Sequence, residues 1–223
     1  MRLDLIPYTG YAVELPHLIH TANCSLIDLS LSNLSTSPEY RSSRFAFHLL
    51  LVSAYNNINI HMRKSLDDEH TPGVFEIIEI KMPQSDTNDD GGFLQFRPIG
   101  YTSELRGVTS STNAHVSRFN TASIPEFSTV HTFYSTYKAG IVRNMFVSFG
   151  EGGDGAYKQT NYTSWSLTVG YGRPPTEGFS LFVILVISIG LGVPVLLALS
   201  GITYVLLRNY RQRNDRARLT NEE

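Results

Sequence analysis

The chain has 223 residues, 18 Lys and Arg against 20 Asp and Glu, a formal net charge of −2, and one cysteine. Basic residues interleaved with aromatics, as in a nucleic-acid reader, are missing, and the lone Cys24 excludes an intrachain disulfide framework or a Cys-x-x-Cys centre. The length allows one domain of ordinary size plus a further segment.

In chain order, the first 170 residues read as short strands separated by turn chemistry. Ile27, Leu29 and Leu31 alternate with Asp28 and Ser30, and Phe45, Phe47, Leu49 and Leu51 alternate more weakly. Segments 74–80, 93–101, 129–136, 141–149 and 162–170 follow, most of them rich in aromatic and β-branched residues. Polar, Gly- and Asp-rich stretches at 84–92 and 151–155 read as surface loops. No sustained helical period is visible before residue 179, so an all-β, sandwich-like domain is expected over residues 1–177.

Residues 179–207 then run without a charge, long enough to cross a hydrocarbon core that needs about 20 apolar residues. A transmembrane helix is therefore expected over 178–207, with an Arg-rich tail over 208–223. Arg208, Arg211, Arg213, Arg216 and Arg218 follow the span at once. Positive flanks stay in the cytosol, so the C-terminus is expected inside and the β-domain on the opposite side, the type I orientation. The same arginines meet anionic lipid headgroups. Met1-Arg2-Leu3-Asp4 opens without an apolar leader, so the chain reads as a fragment whose β-domain is incomplete at its N-terminus.

Three Asn-x-Ser/Thr sequons, at Asn23, Asn33 and Asn161, lie in the segment that charge asymmetry puts outside the cytosol. Cys24, in the middle of the first, is expected to slow modification there. Within the span, Ser188 and Gly192 put two small residues on one helix face and allow close approach of another helix.

Catalytic chemistry has one lead. Ser65-Leu-Asp67-Asp68-Glu69-His70 sets three carboxylates beside a histidine, but adjacent residues on a loop diverge and no second cluster of partners is evident. It reads as a turn-forming acidic loop closed by Thr71-Pro72-Gly73. His17/His20 and His115/His131 lack helical metal-ligand spacing, and there is no nucleophile elbow or phosphate-binding glycine loop. No catalytic residue, cofactor or metal is expected.

Specific strings carry a family resemblance. Leu18-Ile-His-Thr-Ala22, Ser65-Leu-Asp-Asp-Glu-His-Thr-Pro-Gly-Val-Phe75, Phe93-Leu-Gln-Phe-Arg-Pro-Ile-Gly-Tyr101, Tyr162-Thr-Ser-Trp-Ser-Leu167 and Gly172-Arg-Pro-Pro175 occur in that order. Together they resemble the C-terminal part of the glycosylated lysosomal membrane protein family. The resemblance implies a type I lysosomal membrane glycoprotein without enzymatic activity. It also implies an accessory subunit of a major-facilitator-superfamily carrier of dipeptides, shielding it from lumenal proteases and supporting its lysosomal localisation. A cell-surface receptor or adhesion ectodomain is the alternative for the same layout. Val147 and Ser148 occupy a stretch where the family is expected to carry a cysteine, which leaves Cys24 without a downstream partner. The tail departs too, since Tyr210 is followed by Arg-Gln-Arg rather than a tyrosine-based sorting signal.

Overall fold

The computed structural model describes residues 1–6, 12–35, 38–40, 45–55, 57–64, 74–84, 90–136, 140–150, 159–176 and 181–219. It divides into two compact units, Met1–Glu177 and Gly178–Glu223. The first is built on eleven described strands: β1 (Arg2–Ile6), β2 (Cys24–Ser32), β3 (Ala46–Ser53), β4 (Asn59–Lys64), β5 (Glu76–Met82), β6 (Gly92–Phe96), β7 (Ile99–Tyr101), β8 (Ser111–Val116), β9 (Asn120–Thr121), β10 (Ile141–Phe149) and β11 (Tyr162–Tyr171). Their pairing is antiparallel throughout, in the order β3-β10-β8-β7-β11-β6-β5-β4, with β1–β2 joined through β11 and β9 beside β10.

The last strand in sequence holds the sheet together. β11 pairs with β2 from Tyr162↔Ser32 to Gly170↔Cys24, with β6 over Thr168–Tyr171, and with β7 at Ser164. Alternation sends Trp165, Leu167 and Val169 to one face and Ser164, Ser166 and Thr168 to the other. The apolar face meets the main core. There, Leu51 from β3 and Met145, Val147 and Phe149 from β10 pack with Ile78 and Ile80 from β5 and Leu94 and Phe96 from β6. The sheet thus folds over on itself as a sandwich-like structure. Trp165 sits at the centre with no exposed surface, stacked on Phe47 at 5.3 Å and edge-on to Phe96 at 5.0 Å.

The hydroxyl-bearing face of β11 is buried as well. Two smaller clusters accompany it, one of Leu15, Val74, Ile99 and Tyr101, the other of Ala12, Leu18 and Leu26. At the far end of the strand only glycine fits position 170. A β-carbon there would lie 2.5 Å from the Asn23 carbonyl oxygen, Cys24 Cβ and the Phe93 ring.

Two sequence expectations are corrected. Residues 129–136 form a helix, α1 (Thr129–Thr136), rather than a strand. Ser128 caps it, its Oγ accepting from the His131 N–H at 3.0 Å, and this local bond outweighs the strand propensity of Thr129, Val130, Phe133 and Tyr134. Segment 93–101 is two strands, β6 and β7, broken at Arg97-Pro98, where proline removes a ladder donor.

The second unit carries the helix α2 (Leu181–Leu219), 39 residues or about 58 Å long at 1.5 Å per residue. Its candidate span is Ile184–Gln212, with a mean hydropathy of 2.4. The helix continues through the arginines rather than ending at Leu207.

Candidate functional site

The three sequons converge on one pair of strands. Asn23 sits in the turn that opens β2, where the Cys24 N–H donates to the Thr21 carbonyl at 3.1 Å and the Asn23 carbonyl accepts from the Tyr171 N–H at 3.0 Å. Asn33 follows the last residue of β2, and Asn161 precedes the first residue of β11. Because Ser32 and Tyr162 are register partners, Asn33 and Asn161 are neighbours, and the Leu34 N–H donates to the Asn161 carbonyl at 2.9 Å. Both hold left-handed backbone, φ 56° and 51°, a conformation asparagine tolerates better than most residues. All three asparagines are exposed. At about 3.4 Å per residue, the nine residues of β2 put Asn23 about 30 Å from the Asn33/Asn161 corner.

The hydroxyl residues of these sequons differ. Ser25 and Ser35 are exposed. Thr163 is 1% exposed on the core-facing side of β11, and its hydroxyl meets no hydrogen-bond partner among the described residues. Cys24 is buried, with its Sγ accepting from the Thr21 N–H at 3.1 Å.

Two charged networks escape sequence reasoning. In the first, Arg106 grips Asp28 with two bonds of 2.6 and 2.8 Å, and it also donates to the Leu15 carbonyl at 2.6 Å and to Ser166 Oγ at 3.1 Å. The two side chains are only 7% and 13% exposed. Burial pulls the Arg106 pKa down, but the hydrogen bond and charge of Asp28, with Tyr162 and Glu14 further off, outweigh it and raise the guanidinium above its ordinary value. In the second, Arg63 pairs with Glu79 at 2.6 Å, and Arg63 and Gln95 both donate to the Pro175 carbonyl, at 3.2 and 3.0 Å. Buried Lys81 donates to the Gly172 carbonyl. The segment after β11 is thereby strapped to β4, β5 and β6. Both networks are architectural: every charge is met by a protein group.

The acidic cluster 65–70 and the loop 151–155 lie outside the described residues, as do residues 85–89 of the loop 84–92. Among the described residues no three His, Cys, Asp or Glu side chains could share a metal ion. An opening of about 880 Å³ has a mainly apolar wall that includes Ile60, Met62, Phe75 and Phe119, with Glu76, His115 and Ser117 also lining it; the Ser117 hydroxyl donates to the Arg118 carbonyl at 3.1 Å. His20 is buried, which lowers its pKa and favours the neutral ring.

On α2, Ser188 and Gly192 lie one turn apart, and a β-carbon on Gly192 would meet nothing within 4 Å. Ser200 and Thr203 donate to the carbonyls of Leu197 and Leu199, satisfying their hydroxyls within the helix as a lipid environment demands. Arg208 and Arg211 are exposed, and Arg213, Arg216 and Arg218 continue the helical backbone.

A family model described as glycosylated lysosomal membrane protein matches residues 1–212. Glycosylated lysosomal membrane protein A of Xenopus laevis is 29% identical over 205 residues, 90% of this chain and 50% of the relative. The glycosylated lysosomal membrane protein of Danio rerio is 29% identical over 93% of this chain and 51% of its own length, and that of Homo sapiens 27% identical over 93% and 50%. The chain spans about half the length of the curated relatives it matches.

Proposed function

Because the chain belongs to the glycosylated lysosomal membrane protein family, we propose that it is a non-enzymatic accessory subunit of a lysosomal transporter. The client is a multi-span carrier of the major facilitator superfamily that moves dipeptides. The β-domain lies in the lumen, glycosylated at Asn23, Asn33 and Asn161, and α2 spans the membrane once with Arg208, Arg211, Arg213, Arg216 and Arg218 in the cytosol. Ser188 and Gly192 supply a close-packing face toward the client.

The observation that carries this reading is the placement of the three exposed sequons at the two ends of the β2–β11 ladder, in a domain followed by one apolar helix long enough to cross a membrane among the described residues. Glycans there extend beyond the sheet and obstruct a protease approaching from the lumen. The residues brought together in the domain serve cohesion, and proteolytic shielding needs no active site.

Purification from detergent-solubilised lysosomes tests the reading. A multi-span carrier is expected to accompany the tagged chain, and loss of the chain is expected to shorten that carrier's lifetime. Recovery of the chain alone, with the carrier's half-life unchanged in its absence, contradicts the proposal. Location at the plasma membrane without lysosomal signal points instead to a receptor.

A further inference from the structure

The paired corner carries an asymmetry that bears on how it becomes glycosylated. Asn33 is followed by exposed Ser35, whereas Asn161 is followed by Thr163, buried at 1% exposure beside β2. A sequon is read through its hydroxyl as well as its asparagine, so the folded sheet hides half of the second signal and leaves the first open. The fold gives no reason for a threonine there. Its hydroxyl has no bond among the described residues, and a buried unsatisfied polar group costs about 1–3 kcal/mol. Valine has nearly the same shape without that cost.

The time window is set by topology. β11 comes last among the described strands yet lies between β2 on one side and β6 and β7 on the other. Until it docks, the sheet lacks its centre and Thr163 remains accessible. Once Thr163 is buried, Asn161 itself is still exposed, at a left-handed turn outside the ladder, so a sugar already attached is no obstacle to pairing.

We infer that Asn161 accepts a glycan only while β11 is unpaired, whereas its neighbour Asn33 remains an acceptor in the folded domain. This rests on the lumenal placement proposed above. The donor is a lipid-linked oligosaccharide. The Asn161 amide nitrogen bonds to C1 of the first sugar, and the C1–oxygen bond to the lipid pyrophosphate breaks. The pyrophosphate leaves with the electron pair, and the amide proton passes to a base on the transferase. Glycan at Asn161 therefore records that transfer preceded assembly of the sheet, and a chain that folds first keeps that asparagine bare.

The full chain, made without glycans and folded in detergent micelles, is incubated with purified oligosaccharyltransferase and a lipid-linked oligosaccharide. Occupancy of each asparagine is read by peptide mass and normalised to short synthetic peptides carrying the same sequon. In the folded chain Asn161 is expected to react at least about tenfold more slowly than its peptide, since reaction requires local opening of β11, and Asn33 to stay within about threefold. Equal rates at the two sites overturn the inference. Asn161 reacting in the folded chain as fast as its own peptide also overturns it. Absence of sugar at all three asparagines in cells refutes the lumenal placement instead, while the rates in micelles still judge the accessibility claim. Thr163→Val is expected to lose the Asn161 glycan and to melt no lower than the unglycosylated parent. A lower melting temperature would show that the hydroxyl serves the fold.

Discussion

Breaking the Arg106–Asp28 pair is the most informative perturbation of the domain. Arg106→Ala leaves a carboxylate at 13% exposure with Ser166 as its remaining side-chain donor; Asp28→Ala leaves a guanidinium at 7% exposure with only the Leu15 carbonyl and Ser166. Removing one member of a buried pair strands the other's charge and costs about 3–5 kcal/mol. For a domain of this size that corresponds to a melting-temperature drop of roughly 6–20 °C. Combining Arg106→Ala with Asp28→Ala removes the stranded charge, so the double variant is expected to lose less than the two single losses added together. Thermal unfolding of the full chain in detergent, followed by near-ultraviolet circular dichroism from Trp165, reports all four members of the cycle. Additive losses, or single losses below about 1 kcal/mol, the range of an exposed pair, would refute the view that this network ties the covering segment around Leu15 to β2 and β11.

Three more outcomes follow from the same geometry. Trp165→Ala empties the centre of the main core and is expected to cost about 3–5 kcal/mol, read by chemical denaturation. His20 has its pKa lowered by burial, so below its unfolded value of about 6.5 the unfolded chain binds the extra proton. Stability is then full at neutral pH and falls as pH drops through about 6.5 toward the folded value, with a slope of at most about 1.4 kcal/mol per pH unit. His20→Gln should flatten that slope in melts between about pH 7 and about pH 5. Ser188→Leu with Gly192→Leu is expected to weaken co-purification of the proposed carrier by steric obstruction, while leaving the ectodomain's melting temperature unchanged.

The parts legible in the sequence are those governed by period and composition. Tyr162–Gly170 and Ile141–Phe149 read as strands because β-branched and aromatic residues dominate them, and the uncharged run before Arg208 reads as a span by length alone. Arg2–Ile6 and Asn59–Lys64 do not stand out in the sequence because edge strands are short and solvent-facing: β1 has five residues, and β4 is largely exposed and carries His61, Arg63 and Lys64. α1 reads as a strand in the sequence because its composition favours one and its cap is a single serine. In the alternation Ile27-Asp28-Leu29 the aspartate looks like the solvent side of a two-faced strand. Its true partner, Arg106, is 78 residues away, and nothing in local spacing announces it. The same holds for Thr163, whose sequon is plain but whose burial depends on β11 lying at the centre of the sheet.

The orientation of the two flanks decides the account. Lysosome-derived vesicles, sealed and right side out, are treated with protease from outside and probed for an epitope after Arg218 and for the β-domain. The expected result is loss of the tail epitope and survival of a protected fragment that shifts on removal of N-linked sugar. A protected tail with a digested β-domain would contradict it.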